Sequence, residues 1–231
     1  MNIIITGGSS GIGRAVSLKF AANQKNRILV IARSEDKLKE LSEAAENNNI
    51  HYIAGDIIEL SKQPEILLKS VRKSFTGIDI LINNAGALVS GNFEDLTAED
   101  DILMMETNFG APVRLLRILL PLIKASGHIV NISSMSGFQG SSKYSGLSVY
   151  GAAKAALASL TESLATEYSG QGPSFNALSP GAVQTEMLNT AFPGLKAPLT
   201  AEEMADFIVW FAVEGSKYFN GVNLPVTLGN P

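Results

Sequence analysis

Thr6-Gly-Gly-Ser-Ser-Gly-Ile-Gly13 joins the apolar run Asn2–Thr6 to a helical pattern over Ile12–Ala22. Glycines at 7, 11 and 13 allow a tight turn and let the backbone approach a ligand closely. The helix that follows would offer its free N–H groups and positive dipole end to a pyrophosphate. A plain glycine turn would have the same composition. Its place at the first strand–helix junction selects the nucleotide-binding reading. Gly7, Ser9, Ser10, Gly11, Ile12 and Gly13 are therefore the candidate phosphate-binding segment.

Outward from this loop, short Ile/Leu/Val-rich runs alternate with longer helical patterns. The strands expected are Asn2–Thr6, 28–32, 51–54, 79–82, 128–132, 174–178 and 221–226. The helices expected are 12–22, 36–46, 64–75, one long helix over 98–123, 149–168 and 201–213. Nearly continuous apolar strands imply a parallel sheet covered on both faces. Strand alternating with helix implies an α/β fold, a doubly wound, Rossmann-like parallel sheet of about seven strands with helices on both faces. No linker or low-complexity stretch interrupts residues 1–231, so a single domain is expected. Ser34 is the expected cap of the second helix, with Glu35 and Asp36 in its first turn. The stretch 188–199, with Pro193, Gly194 and Pro198, reads as an irregular loop or lid.

The bulk composition narrows the classes. Hydrophobic residues make up 45% and charged residues 17%, which suits a packed globular domain. The formal net charge is −4 with no basic block, so nucleic acid is not an expected partner. There are no cysteines, which excludes disulfides and thiolate metal sites; no metal site is expected. The glycine loop begins at Thr6, no apolar run approaches a bilayer span, and a cytoplasmic protein that does not enter the membrane is expected.

Arg33 ends the second strand, twenty residues after Gly13. In a dinucleotide fold this position meets the adenosine ribose, where an acid selects the free 2′-hydroxyl and an arginine accommodates a 2′-phosphate. No acid stands at the strand end, so NADP(H) is favoured over NAD(H). The alternative is a solvated surface arginine.

Tyr150 and Lys154 stand four residues apart in a helical pattern, and so share one face. A tyrosine is a poor acid at neutral pH, with a free pKa of about 10. A cation beside it favours the phenolate and lowers that value, which makes the phenol a usable proton donor and acceptor. Such pairs also decorate many solvated helices, and only the rest of the chain separates the two readings.

Together these segments resemble the short-chain dehydrogenase/reductase family in its compact single-domain form, over essentially the whole chain. The glycine loop looks like the family's cofactor loop. Asp56, with Ile57 beside it, is similar to the family's adenine-contacting acid; a strand-end cap is the other reading of Asp56. Asn83-Asn-Ala-Gly86 matches the Asn-Asn-Ala-Gly segment, which places Asn83, Ala85 and Gly86 against the cofactor and gives Asn84 a structural tie. Asn108 falls at the family's helix asparagine, which by the resemblance bends the helix and positions a water for proton relay. Ile132-Ser-Ser-Met-Ser-Gly137 is similar to the serine segment. The family pattern puts the catalytic serine three before the glycine, at Ser134; strand alternation turns Ser133 to the opposite face. Ser134 to Tyr150 spans 16 positions, longer than is common in the family, with extra residues around 143–146. Tyr144 has Ser148, not a lysine, four residues on. Pro180-Gly181, with Val183 and Thr185, matches the segment near the nicotinamide.

The resemblance implies hydride transfer between a nicotinamide and a carbonyl or alcohol carbon. Asn108, Ser134, Tyr150 and Lys154 are then the expected catalytic set, with Lys154 also bonding the nicotinamide ribose. Phe138, Gln139, Tyr144, Leu147, Met187, Leu188 and Phe192 are the expected substrate lining, with Lys143 the one nearby charge. A neutral, moderately hydrophobic ketone or aldehyde fits that set. A nucleotide-sensing protein on the same fold is the competing reading, but such proteins tend to lose the Tyr or the Lys. The small residues Gly151–Ala158, with the helix carrying Asn108, resemble the family's dimer face, so a homodimer is expected. The end of the chain, 222–231, departs from the family's Val-Asp-Gly-Gly ending. Pro225 removes a ladder donor there, which implies an edge strand and argues against the family's tetramer.

Overall fold

The structure, a computed structural model, describes residues 1–228; the end of the departing C-terminal stretch, 229–231, lies outside the described residues. Its first half runs β1 (Asn2–Thr6), α1 (Gly11–Ala21), β2 (Arg27–Ala32), α2 (Glu35–Glu43), β3 (Ile50–Ala54), α3 (Ile57–Ser61), α4 (Pro64–Ser74) and β4 (Ile78–Asn83). It continues through α5 (Ala98–Met105), α6 (Ala111–Leu119), β5 (Ile123–Ile132), α7 (Ser148–Glu167) and β6 (Ser174–Pro180). Then come β7 (Val183–Gln184), α8 (Glu186–Ala191), β8 (Leu199–Thr200), α9 (Ala201–Glu214) and β9 (Asn223–Val226).

Seven strands form one sheet in the order β3-β2-β1-β4-β5-β6-β9, every described pairing parallel. This is the expected doubly wound sheet. Successive residues of β1 face opposite layers, because side chains alternate along a strand. Ile3 and Ile5 pack with Phe20, Ile208 and Phe211 under α1 and α9, whereas Ile4 packs with Leu29, Leu67, Leu115 and Phe175 on the other face. β2 and β4 flank β1, so the strand order reverses there, and the crevice opens at the carboxyl ends of β1 and β4. β9 is an edge strand with Pro225 opposite Ser179, as the missing donor requires. Ser34 caps α2 by accepting the Lys37 N–H at 3.4 Å, with Glu35 and Asp36 in the first turn.

Two expectations need correction. The single helix over 98–123 is α5, a π-helical turn at Glu106–Gly110, α6 and a short 3-10 turn, and Ile123 already begins β5. The Asn108 side-chain amide donates to Met104 O at 2.8 Å, taking the carbonyl that a regular helix would offer to the Asn108 backbone N–H. Pro112, in the first turn of α6, has no N–H for the Asn108 carbonyl, and Pro121 stops the segment altogether. The supposed irregular stretch from 188 instead opens inside α8, whose cap Thr185 accepts the Leu188 N–H at 3.2 Å. The segment between is stapled at its base by β7 and β8, and the Gln184 side chain accepts the Ala197 N–H at 2.9 Å.

Candidate active site

The glycine loop is held by the strand across the switch point. The Thr6 hydroxyl accepts the N–H groups of Asn84 and Ala85, both at 3.0 Å. The Asn84 amide donates back to Thr6 O and Gly7 O at 3.1 and 3.2 Å. Gly7 adopts φ +67°, and a Cβ there would stand 2.7 Å from Ala85 Cα. A side chain is therefore excluded twice, by conformation and by contact. Ser10 begins α1 without a side-chain cap bond, so the helix presents its first N–H groups uncapped to the crevice. Ser9, Gly11 and Ile12 are half-buried along the same rim, and Gly13 is buried behind them.

The catalytic candidates converge on the other side of the crevice. Tyr150 and Lys154 sit in the first turns of α7, 9% and 3% exposed. The Lys154 ammonium donates to Ile132 O at 2.8 Å and stands 5.8 Å from the centroid of the Tyr150 ring. Burial pushes the tyrosine up to about 12 and the lysine down to about 8. This corrects the expected lowering of the phenol by the lysine: burial dominates, and the Ser134 hydroxyl is the side chain that pulls the phenol down. Lys154 stays cationic at neutral pH and the phenol keeps its proton. Ser133 turns away and donates to Lys154 O at 2.8 Å. Asn108 is fully buried in the π-helical turn. It accepts the Ala87 N–H at 3.3 Å and donates to Ala87 O at 2.7 Å. A Cβ on Gly86 would come 3.0 Å from Asn108 Oδ1 and 3.5 Å from Lys154 Nζ, so the glycine backbone packs directly against both buried side chains.

Several cofactor candidates are placed differently from their neighbours. Asn83 is turned into the core, its amide donating to Asn131 Oδ1 at 2.8 Å, so only its backbone is left for a ligand. Ile57 and Val183 bury their side chains in the two core layers, and Pro180 is buried as well. Asp56 accepts the Ile58 N–H at 2.7 Å and caps α3, which is the strand-end cap weighed for it; one carboxylate oxygen is left over. The Thr185 methyl would meet a Cβ on Gly11 at 3.2 Å, so α8 begins directly above the glycine loop. Gly181 lies against Thr227, where a Cβ would come 2.7 Å from the hydroxyl. Arg33 is exposed at the end of β2 and joins none of the described ion pairs.

A cavity of about 630 Å³ lies beside Tyr150, lined by its neighbour Gly151 and not by the tyrosine itself. Its lining includes Phe93, Ser136, Lys143, Tyr144, Leu147 and Gly151. Tyr144, Leu147 and Lys143 of the expected substrate lining belong to it; Phe138, Gln139, Met187, Leu188 and Phe192 do not. Phe93 and Ser136 are lining residues that the sequence reading left out. Phe93 follows the Asn-Asn-Ala-Gly segment with no motif of its own.

An uncapped helix N-terminus at a glycine loop, facing a buried tyrosine–lysine pair across a switch point, defines an α/β oxidoreductase of the nicotinamide-dinucleotide class. The family model for short chain dehydrogenases matches residues 1–196, and the chain belongs to that family. An uncharacterized oxidoreductase of Staphylococcus epidermidis is 33% identical over 215 residues, covering 92% of this chain and 91% of that one. An NADP-dependent 3-hydroxy acid dehydrogenase of Schizosaccharomyces pombe is 32% identical over 224 residues, covering 90% and 85%. The solved structure of the closed form of serine dehydrogenase complexed with NADP+ superposes with a TM-score of 0.86 at 26% identity, covering 98% and 94%. Among the described residues, no helix is long and apolar enough to cross a membrane.

Proposed function

We propose that this oxidoreductase is a cytoplasmic homodimer that uses NADPH to reduce a neutral, moderately hydrophobic ketone or aldehyde, and runs the alcohol oxidation in reverse. The observation that carries the reading is the buried Tyr150–Lys154 pair with Ser134 beside the phenol, opposite an uncapped helix N-terminus.

A nicotinamide held in the crevice would supply a hydride to the carbonyl carbon, whose π electron pair would pass to the oxygen. Ser134 donates a hydrogen bond to that oxygen as its charge grows. Tyr150 transfers its proton there as general acid; a phenol held near 12 keeps its proton at neutral pH and releases it to a far more basic alkoxide. Lys154 stabilises the phenolate left behind and bonds the nicotinamide ribose, and Asn108 links the lysine to solvent for reprotonation. Gly7, Ser9, Ser10, Gly11, Ile12 and Gly13 would hold the pyrophosphate, and Arg33 the 2′-phosphate. Asp56 with Ile57 meets the adenine. Ala85, Gly86, Gly181 and Thr185 would line the nicotinamide half, with Asn83, Pro180 and Val183 meeting it through their backbone alone.

The three N–H donors of Lys143 already meet Ser136 O, Phe138 O and Ser141 Oγ at 3.1, 2.6 and 2.9 Å, which leaves none for an anionic substrate. This supports a neutral substrate. Exposed Ile102, Leu103 and Met105 on α5, beside the exposed Ala152 and Ala155 of α7, support the dimer face.

The test is absorbance at 340 nm with benzaldehyde, acetophenone, ethyl acetoacetate, 3-hydroxybutyrate and serine. NADPH-dependent reduction of one of the neutral carbonyls is expected; cofactor binding with no turnover of any compound would favour the nucleotide-sensing reading. In the same assay Arg33→Asp reverses a preference for NADPH over NADH. Equal affinities of the wild-type protein for the two cofactors, by fluorescence titration, would remove the 2′-phosphate role of Arg33.

A further inference from the structure

One residue engages Ser134 Oγ twice. Ser134 Oγ accepts the Ser136 backbone N–H at 3.2 Å, which caps the 3-10 turn Met135–Gly137, and lies 2.8 Å from Ser136 Oγ. The hydroxyl pair has two possible directions. A hydroxyl carries one donor and two acceptor positions. If Ser134 donates, its only proton goes to Ser136 and none is left for a substrate oxygen. If Ser136 donates, Ser134 accepts two bonds from one side and its own proton is free to point away from both. The second direction is the one that leaves Ser134 a proton for a substrate oxygen.

Ser136 is held firmly enough for this task. It is 8% exposed, and its carbonyl accepts the Lys143 ammonium at 3.1 Å. Its turn lies flat on α7: a Cβ on Gly151 would stand 2.8 Å from Ser136 O, and one on Gly137 2.5 Å from Ala155 N. Both glycines permit a backbone approach that no side chain would allow, and Gly151 stands one residue beyond Tyr150.

We infer that Ser136 is a positioning residue, donating its hydroxyl to Ser134 so that the Ser134 proton is held toward the carbonyl oxygen. This rests on the reading of Ser134 as the donor to that oxygen. Losing one such orienting bond lowers kcat about tenfold, the scale of a single neutral hydrogen bond.

The experiment is a double-mutant cycle of Ser134→Ala, Ser136→Ala and the pair, with NADPH and ethyl acetoacetate, together with Ser136→Thr. Melting curves and NADPH titrations accompany each variant. Ser136→Ala is expected to lower kcat while KM, NADPH affinity and melting stay unchanged, to add nothing in the Ser134→Ala background, and to be rescued by Ser136→Thr. A kcat that is unchanged or raised in Ser136→Ala assigns the opposite direction to the hydroxyl pair and overturns the inference. An undiminished loss in the Ser134→Ala background overturns it too, since Ser136 would then act without Ser134. Should the alanine variant not fold, Ser136→Cys, a weak donor, takes its place with the same two outcomes. Wild-type protein that reduces no compound of the panel removes the parent reading and this one with it; active wild type with an unchanged kcat in Ser136→Ala removes this one alone.

Discussion

Replacing Tyr150 by Phe lowers kcat for carbonyl reduction by about 10³-fold and leaves NADPH binding as it is. The substitution removes one oxygen from a residue that is 9% exposed and keeps the ring that packs beside Lys154, so the fold has no reason to change. What is lost is the proton for the oxygen that receives the carbonyl π pair. The same geometry sets a pH limb. Burial holds Lys154 at about 8, below its ordinary value, so its charge is present below that pH and lost above it. Rate therefore falls as pH rises through about 8, because the neutral amine no longer stabilises the phenolate. Stopped-flow rates of NADPH oxidation at saturating cofactor, from pH 6 to 10, measure both effects. A Phe variant with near wild-type turnover removes Tyr150 as the acid, and a flat profile across pH 8 removes the charge of Lys154 from the step.

The strands were legible because a buried parallel strand must be apolar on both faces, and Ile3, Ile4 and Ile5 meet that demand on either side of the sheet. The glycine loop was legible for a related reason: its residues are dictated by contacts within eight positions and one crossing strand. The break at Asn108 was invisible to the apolar period, which runs on through α5 and α6, and was expected only from the family resemblance. What ends the regular helix is a side-chain bond to Met104 O, made by a residue whose helix propensity is only mildly poor. α8 was hidden by its length, six residues capped by Thr185 beside a stretch rich in Pro and Gly. The direction of the Tyr150 shift was the least legible. Spacing along a helix reports that Lys154 is near, but it does not report how much water either group loses, and here burial outweighs the charge. Ser136 was visible only as one of three serines, because its importance rests on a distance to Ser134.

Gly13→Ala is expected to abolish measurable NADPH binding and to lower the melting temperature by about 10 °C, from roughly 3 kcal/mol of overpacking. A Cβ at Gly13 would stand 2.3 Å from Gly7 O and 2.4 Å from Asn84 Nδ2. Neither atom can retreat cheaply. Asn84 is bonded to both Thr6 O and Gly7 O, and the backbone after it is pinned to the Thr6 hydroxyl. The methyl group must therefore part the ends of β1 and β4, the two rims that form the crevice. Gly13 is not among the glycines with positive φ, so the cost is contact and not conformation. Gly170 supplies the comparison: it has φ +77° and nothing within 4 Å of an added Cβ. Gly170→Ala should cost only its backbone strain, about 1 kcal/mol, with NADPH binding intact. Calorimetry and cofactor fluorescence on the two variants separate the terms. If Gly13→Ala melts and binds like wild type, the tight junction between the glycine loop and Asn84 does not hold the crevice in shape.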